Sequence, residues 1–315
     1  MAKRHLLPSI SFSGAGFLGA YHSGVASCLQ EHGLLPDYSR DDAIEESPSN
    51  QVLLGSSAGS LISSAILCGV PADSQLRMAN KISALARARP LDSMTPGFSL
   101  IDELEPLLRS SLKDHSALGR WGDESDYLRK RVSRKLQVNL SAAINFPLTM
   151  KDNRIVDSFE CIDELIAACI LSSYVPFATG PLNPSPGDAV SDAMRSLNIN
   201  SIRPYYSNSP NDPPNTRYID GGLTAMFPLL NENTLIVSPL PVRARKKTNR
   251  VICPKFSPAV TSMPIFNGGT ELAIKREVPQ LLKAMLMSGG ERSLENFFVR
   301  GHDDAGRFVK EELVM

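Results

Sequence analysis

The sequence has no framework of paired cysteines, no excess of charge of either sign, no long apolar run and no internal repeat, and each lack removes a class of protein. Its five cysteines, Cys28, Cys68, Cys161, Cys169 and Cys253, are odd in number and scattered, without a Cys-x-x-Cys or Cys/His cluster. That pattern excludes a disulfide scaffold and a zinc site of the usual spacing, and predicts reduced, mostly buried thiols. Lysine and arginine total 33 against 33 aspartates and glutamates, so the electrostatic footprint of a nucleic-acid partner is missing. No segment supplies ~20 consecutive apolar residues, and no membrane span is expected. The opening MAKRHLLPSISFSG carries Lys3 and Arg4 but only a brief apolar run broken by Pro8, which does not read as a signal peptide. The expectation is a cytoplasmic protein whose contact with any membrane is peripheral.

What is present is a chain of 315 residues, 42% hydrophobic and 21% charged, with ample material for a core. Residues 9–13, SISFS, read as a strand running into Gly14, and from Phe17 the apolar positions Leu18, Tyr21, Val25 and Leu29 recur at helical spacing. QVLLG reads as a second buried strand that feeds a small-residue turn and another helix. Residues 72–112 read as two helical pieces broken at Pro90 and Pro96, the second opened by a Ser99/Asp102 capping box. KLQVNLSAAINFPLTM and RIVDSF read as paired strands, Asp157 and Glu160 as caps of the next helix, and Ile162, Leu165, Ile166 and Cys169 as its buried face. Residues 181–215, rich in Pro, Asn and Ser, read as a long surface insertion. RYIDGG and TLIVSPLP add strands, and the C-terminal part, about 262–315, reads as helical with glycine breaks. Strands alternating with helices predict an α/β fold with a mainly parallel sheet covered on both faces, one domain over 1–315 with its core at about 8–240.

Gly55-Ser56-Ser57-Ala58-Gly59 matches Gly-x-Ser-x-Gly. Between an apolar strand and an apolar helix, such a turn holds its serine at a helix N-terminus, where amides and dipole favour developing negative charge. The plain alternative is a loop in which Ser57 caps a helix. Gly14-Ala15-Gly16-Phe17-Leu18-Gly19 spells a dinucleotide fingerprint, yet the next strand ends on the serine turn and not on the acid that would hold a ribose. A loop of free amides next to a nucleophile serves better as an oxyanion hole. The base remains open. His302, in the polar stretch VRGHDDAG, would complete a Ser-His-Asp order, whereas Asp220, at a strand end beside Gly221 and Gly222, would act as base if burial lifted its pKa from ~3.9.

Taken together, ISFSGAGFLGAYHSGVASCLQEHG, LLGSSAGSL and RYIDGGLTAMFP resemble the patatin-like phospholipase domain, and its animal branch containing adipose triglyceride lipase and adiponutrin. DELIAACILSSYVPFATG, TLIVSPLP with VICP, and HDDAGRF extend the likeness over most of the chain, and Leu18 stands where plant patatins carry a basic residue. The resemblance implies a three-layer α/β/α sandwich and a dyad without histidine, Ser57 as nucleophile and Asp220 as general base. It implies an oxyanion hole from Gly14, Ala15, Gly16 and Ala58, with Gly55, Gly59, Gly221 and Gly222 supporting the turns. Substrates would be carboxyl esters of acylglycerols or glycerophospholipids at a membrane or lipid-droplet surface, with acyl transfer as a side activity and neither metal nor cofactor. An activating protein partner is left open, and the long droplet-targeting tails of that branch have no counterpart in this sequence.

Two stretches are candidates for lipid contact. Val278, Leu281, Leu282, Met285 and Leu286 form an apolar stripe beside Lys275, Arg276 and Lys283, and Arg243, Arg245, Lys246, Lys247 and Arg250 form a basic loop. A core-packed helix and a solvated loop are the plainer readings of the two. Two other functions compete with the dyad enzyme: a catalytically idle lipid-binding or regulatory protein on the same fold, and a conventional triad esterase using His302.

Overall fold

Ser9–Phe12 (β1) and Val52–Gly55 (β2) are short apolar runs that end at small-residue turns, and they pair in parallel with Phe12 beside Gly55. The computed structural model describes residues 7, 9–39, 51–115, 123–144, 147–206, 211–244, 250–255, 261–264, 270–274 and 283–312. A parallel pair needs a crossover, and Gly19–Glu31 (α1) supplies part of it. Leu136–Ala142 (β3) adds to β2 in parallel, and on the far side Leu235–Val237 (β7) and Val251–Ile252 (β9) continue the parallel set. Asn153–Val156 (β4) and Ile202–Pro204 (β5) close the other edge antiparallel. The order is β5-β4-β3-β2-β1-β7-β9, a mostly parallel sheet with helices on both sides, as the alternation of elements predicts.

Tyr218–Asp220 (β6) stands off this order and pairs antiparallel with β3, Leu140 beside Asp220. Since β4 holds one edge of β3 from Val138 to Ser141, β6 occupies the edge that β2 has just left. Gly55 sits beside Val138 and Asp220 beside Leu140. Two strands therefore meet end to end with their partner positions only about 7 Å apart along β3.

Three helices follow β2: Ala58–Leu67 (α2), Ala72–Arg87 (α3) and Leu100–His115 (α4), the last two separated where Pro90 and Pro96 predict. The Ser99 hydroxyl accepts the Asp102 amide at 3.3 Å, but the Asp102 carboxylate turns to the Ala189 amide at 2.7 Å. Nor do Asp157 and Glu160 cap Ile162–Ser172 (α5): Cys161 is its N-cap, and the Ile162 amide is bound by Glu124 at 2.7 Å.

The insertion at 181–215 is not only loop. It carries Ala189–Ser196 (α6), whose buried Val190 and Ala193 face α5 and α4, and the edge strand β5. The Pro- and Asn-rich ends mask an apolar spacing of Val190, Ala193 and Leu197, all buried. Its C-terminal end is held by the fully buried guanidinium of Arg154, which donates from Nε to Asp212 at 2.7 and 2.9 Å and from Nη1 to Lys151 O at 2.7 Å. The Tyr218 hydroxyl donates to the same carboxylate at 2.8 Å, so this ion pair fixes the start of β6.

The C-terminal expectation needs two corrections. Thr261–Pro264 (β10) and Thr270–Ile274 (β11) pair antiparallel with each other and with Val242–Ala244 (β8), so the region opens on strands. Glu291–Glu312 (α7) is then helical as expected, but it runs unbroken through Gly301 and Gly306, where glycine breaks are expected. Gly301 is a packing notch: a Cβ there would lie 2.1 Å from Tyr21 O, and one at Gly24 of α1 would lie 1.9 Å from Phe298 O. The two helices thus touch backbone to backbone, closed by the Tyr21 hydroxyl on Asp304 at 2.7 Å. Most of 275–287 and of the basic loop lies outside the described residues. No described helix is long and apolar enough to cross a membrane.

Asp212→Ala removes the carboxylate that binds a buried guanidinium, and we expect a loss of about 3 kcal/mol in folding free energy. Urea unfolding checks this, as a lower midpoint with an unchanged slope.

Candidate active site

Gly55 ends β2, Ala58 begins α2, and only Ser56 and Ser57 connect them. So sharp a turn puts Ser57 at φ +54° and ψ −130°, a left-handed conformation unusual for a residue with a Cβ. The motif's two glycines have a steric reason, since a Cβ on Gly59 would lie 2.1 Å from Phe12 O and one on Gly55 2.4 Å from the Ser60 amide. Ser56 turns inward and donates to Ala225 O at 2.6 Å, which leaves Ser57 facing the cavity.

The C-terminal end of α5 ties the serine turn to Asp220. The Ser57 amide donates to Ser172 Oγ at 3.0 Å, and that hydroxyl donates to Asn139 O on β3 at 2.7 Å. The Gly221 amide donates to Ser172 O at 3.2 Å and the Asp220 amide to Tyr174 O at 2.8 Å. Asn139 Nδ2 reaches Gly55 O at 3.3 Å. A Cβ on Gly221 would stand 2.0 Å from Asn139 O, so this crossing accepts only glycine.

Asp220 is 4% exposed. Burial pushes its carboxyl up to about 6, against the opposing pull of hydrogen bonds from the Ser57 hydroxyl and the Gly222 amide. Gly222 N–H donates to Oδ1 at 2.7 Å. Among the described residues no histidine, lysine or arginine lines the cavity with them. A carboxylate of raised pKa, touching a serine hydroxyl at a helix N-terminus, can accept that hydroxyl's proton near neutral pH.

The glycine loop lies against the serine turn. Gly14 N–H already donates to Met226 O at 3.1 Å, whereas the amides of Ala15, Gly16 and Ala58 have no acceptor among the described residues. Gly16 takes φ +52°, and its missing Cβ leaves room for Met285 O, which would otherwise be 2.0 Å away.

His302 sits on α7 with Nε2 3.0 Å from the Glu31 carboxylate, and it is not among the cavity residues. His22 is fully buried behind the loop, its Nε2 3.0 Å from Ser13 O, and burial lowers its pKa to about 4. No group of three or more His, Cys, Asp or Glu side chains among the described residues is arranged to hold a metal.

The cavity itself, about 300 Å³, is walled by apolar side chains that include Leu61, Ile62, Met78, Ile82, Leu104 and Val175. A hydrogen-bonded polar pair lies in this wall: Ser23 Oγ donates to Gln75 Oε1 at 2.9 Å, and Gln75 Nε2 to Val70 O at 2.9 Å. Sequence reading misses Ser172, Asn139 and this pair. Nothing in the pattern of an apolar helix marks one of its serines as the acceptor for an amide 115 positions away.

Over residues 10–231 the chain matches the model of the patatin-like phospholipase family. It is 28% identical over 320 residues to human 1-acylglycerol-3-phosphate O-acyltransferase PNPLA3, with 96% of this chain and 51% of that protein covered. It is 26% identical over 306 residues to rat patatin-like phospholipase domain-containing protein 2, at 96% and 51% coverage, and 25% identical over 303 residues to human omega-hydroxyceramide transacylase, at 96% and 46%. The chain spans about half the length of these relatives. With a match to that model across well over half of its residues, the chain belongs to the patatin-like phospholipase family.

Proposed function

We propose that the protein is a lipid acyl hydrolase that works through a Ser57–Asp220 dyad and an acyl-enzyme, on carboxyl esters of acylglycerols or glycerophospholipids presented at a membrane or droplet surface. The observation that carries this reading is a buried carboxyl, Asp220, that lines the same cavity as a serine, Ser57, whose backbone is held at positive φ. Ser57 Oγ attacks the acyl carbonyl while its proton passes to Asp220. The oxyanion is held by amides of Ala15, Gly16 and Ala58 and by the positive end of α2. Collapse returns the proton from Asp220 to the departing alcohol and leaves the acyl group on Ser57. Asp220 then takes a proton from water as it attacks the acyl-enzyme, and returns that proton to Ser57 Oγ as the fatty acid leaves.

The second step accepts any hydroxyl that reaches the acyl-enzyme. The relatives named as an acyltransferase and a transacylase favour a second reading, in which an alcohol replaces water as acceptor. Both readings share the first half-reaction, and both leave His302 without a part.

Fatty acid release from emulsified triacylglycerol, phospholipid and lysophospholipid tests the reading. Ser57→Ala and Asp220→Asn are each expected to lose on the order of 1000-fold in kcat or more, and His302→Ala to lose little. Equal loss in His302→Ala would replace the dyad by a triad.

Asp220 must be ionised to act as base, so kcat/KM should rise with pH through about 6 and level above it. The same shift predicts a stability effect of opposite sign. A carboxyl with its folded pKa raised from 3.8 to about 6 favours folding at low pH, and that contribution is lost as pH rises through 6. Above it, Asp220→Asn should be the more stable protein by about 3 kcal/mol, read from denaturant midpoints at pH values on either side.

Ser172→Ala removes the acceptor of the Ser57 amide. We expect kcat to fall roughly tenfold to a hundredfold with KM little changed, because a buried donor left unpaired costs ~1–3 kcal/mol and loosens the turn that aims the nucleophile. A drop in thermal midpoint with kcat intact would make Ser172 merely structural.

A further inference from the structure

At the rim of the cavity a phenylalanine stands where the backbone asks for glycine. Val175, Pro176, Phe177 and Ala178 form a turn closed by the Ala178 amide on Val175 O at 3.0 Å, with Phe177 third at φ +69°. Proline second and a positive φ third are the marks of a type II turn, whose third position favours glycine or asparagine. Thr179 braces this strained shape: its hydroxyl accepts the Val175 amide at 2.8 Å and donates to Ser173 O at 2.9 Å. The ring so held is not buried. Phe177 is 69% exposed, the most exposed of the large apolar residues described. Strain kept to hold an aromatic side chain in water points to a contact outside the chain.

Its neighbours in sequence and other residues of the cavity lining share this character. Val175, Ala178 and Thr179, on either side of Phe177, line the cavity. Leu223 and Leu286 also line it and are 47% and 49% exposed, so they stand at its mouth. Ser93 lines it too and donates to Leu286 O at 2.8 Å, flanked by Leu91 and Met94, 57% and 48% exposed. The apolar wall of the cavity thus continues outward onto the surface. Arg87, Arg89 and Lys283, exposed on the same two segments, add positive charge beside it.

We propose that this rim is the face by which the protein docks on a lipid surface, Phe177 entering between headgroups while Arg87, Arg89 and Lys283 meet their phosphates. The inference rests on the reading of the cavity as a lipid ester site, and it deepens that reading by assigning the side from which the substrate enters. A surface whose apolar part is continuous with the path of an acyl chain, with cations at its margin, fits an anionic lipid interface, since a chain can pass from lipid to cavity without crossing water.

The test is co-flotation of the full chain with vesicles of phosphatidylcholine, with and without phosphatidylserine. Wild type is compared with Phe177→Gly and Leu91→Ser, and turnover of water-soluble p-nitrophenyl butyrate is measured in parallel. Glycine suits the turn, so Phe177→Gly should keep or raise the thermal midpoint while its partition onto vesicles falls on the order of tenfold or more. Leu91→Ser should weaken binding less, phosphatidylserine should strengthen wild-type binding, and soluble turnover should be kept in both variants. Vesicle binding equal in all three proteins, or absent in wild type, overturns the docking face. Loss of soluble turnover in Phe177→Gly with binding kept also overturns it, as does a concentration-dependent dimer that Phe177→Gly abolishes without wild-type vesicle binding. Wild type that binds vesicles through Phe177 but hydrolyses no ester would count against the hydrolase reading alone.

Discussion

The site depends on two strands meeting end to end on one edge of β3. β2 leaves that edge at Val138 and β6 takes it up at Leu140, running the other way. A β-strand that stops inside a sheet exposes unpaired backbone groups and a gap, and here the gap is filled by the serine turn on one side and Asp220 on the other. The groups that would otherwise be orphaned are taken up by the last residue of α5 and the segment after it: the Ser57 amide by Ser172 Oγ, the Gly221 amide by Ser172 O, the Asp220 amide by Tyr174 O. Satisfying the backbone and positioning the Ser57 and Asp220 side chains are therefore one arrangement.

Burial then sets the chemistry. A carboxylate needs no neighbouring histidine to act as a base near neutral pH when its charged form is poorly solvated, and apolar walls supply that condition for Asp220. The cost is borne by stability, and the fold offsets it with features remote from the reaction. Among these are the Arg154–Asp212 pair that anchors β6 and the backbone contact of α7 with α1 that covers the back of the glycine loop.

Much of this was legible because tight turns restrict composition. Gly55, Gly59 and Gly221 meet backbone atoms that a Cβ would strike, so the small residues around Ser57 and Asp220 carry the geometry in their identity. The strands and the first helices announced themselves by apolar period. What stayed hidden is set by partners distant in sequence. Gly301 reads as a helix breaker until α1 is laid against it, the 181–215 insertion reads as loop until Val190 and Ala193 find α5, and Ser172 resembles any other serine. Phe177 was hidden for another reason, since its residue type argues against the conformation it holds.

The central claim is that Ser57 is the nucleophile and that Asp220 alone activates it. The most direct measurement is the rate of covalent labelling by a fluorophosphonate across a pH range about 6, with the modified peptide identified by mass spectrometry. The account predicts label on Ser57, with a rate that rises as Asp220 ionises and a rise that disappears in Asp220→Asn. Label on another residue, or a pH dependence unchanged in Asp220→Asn, would contradict it.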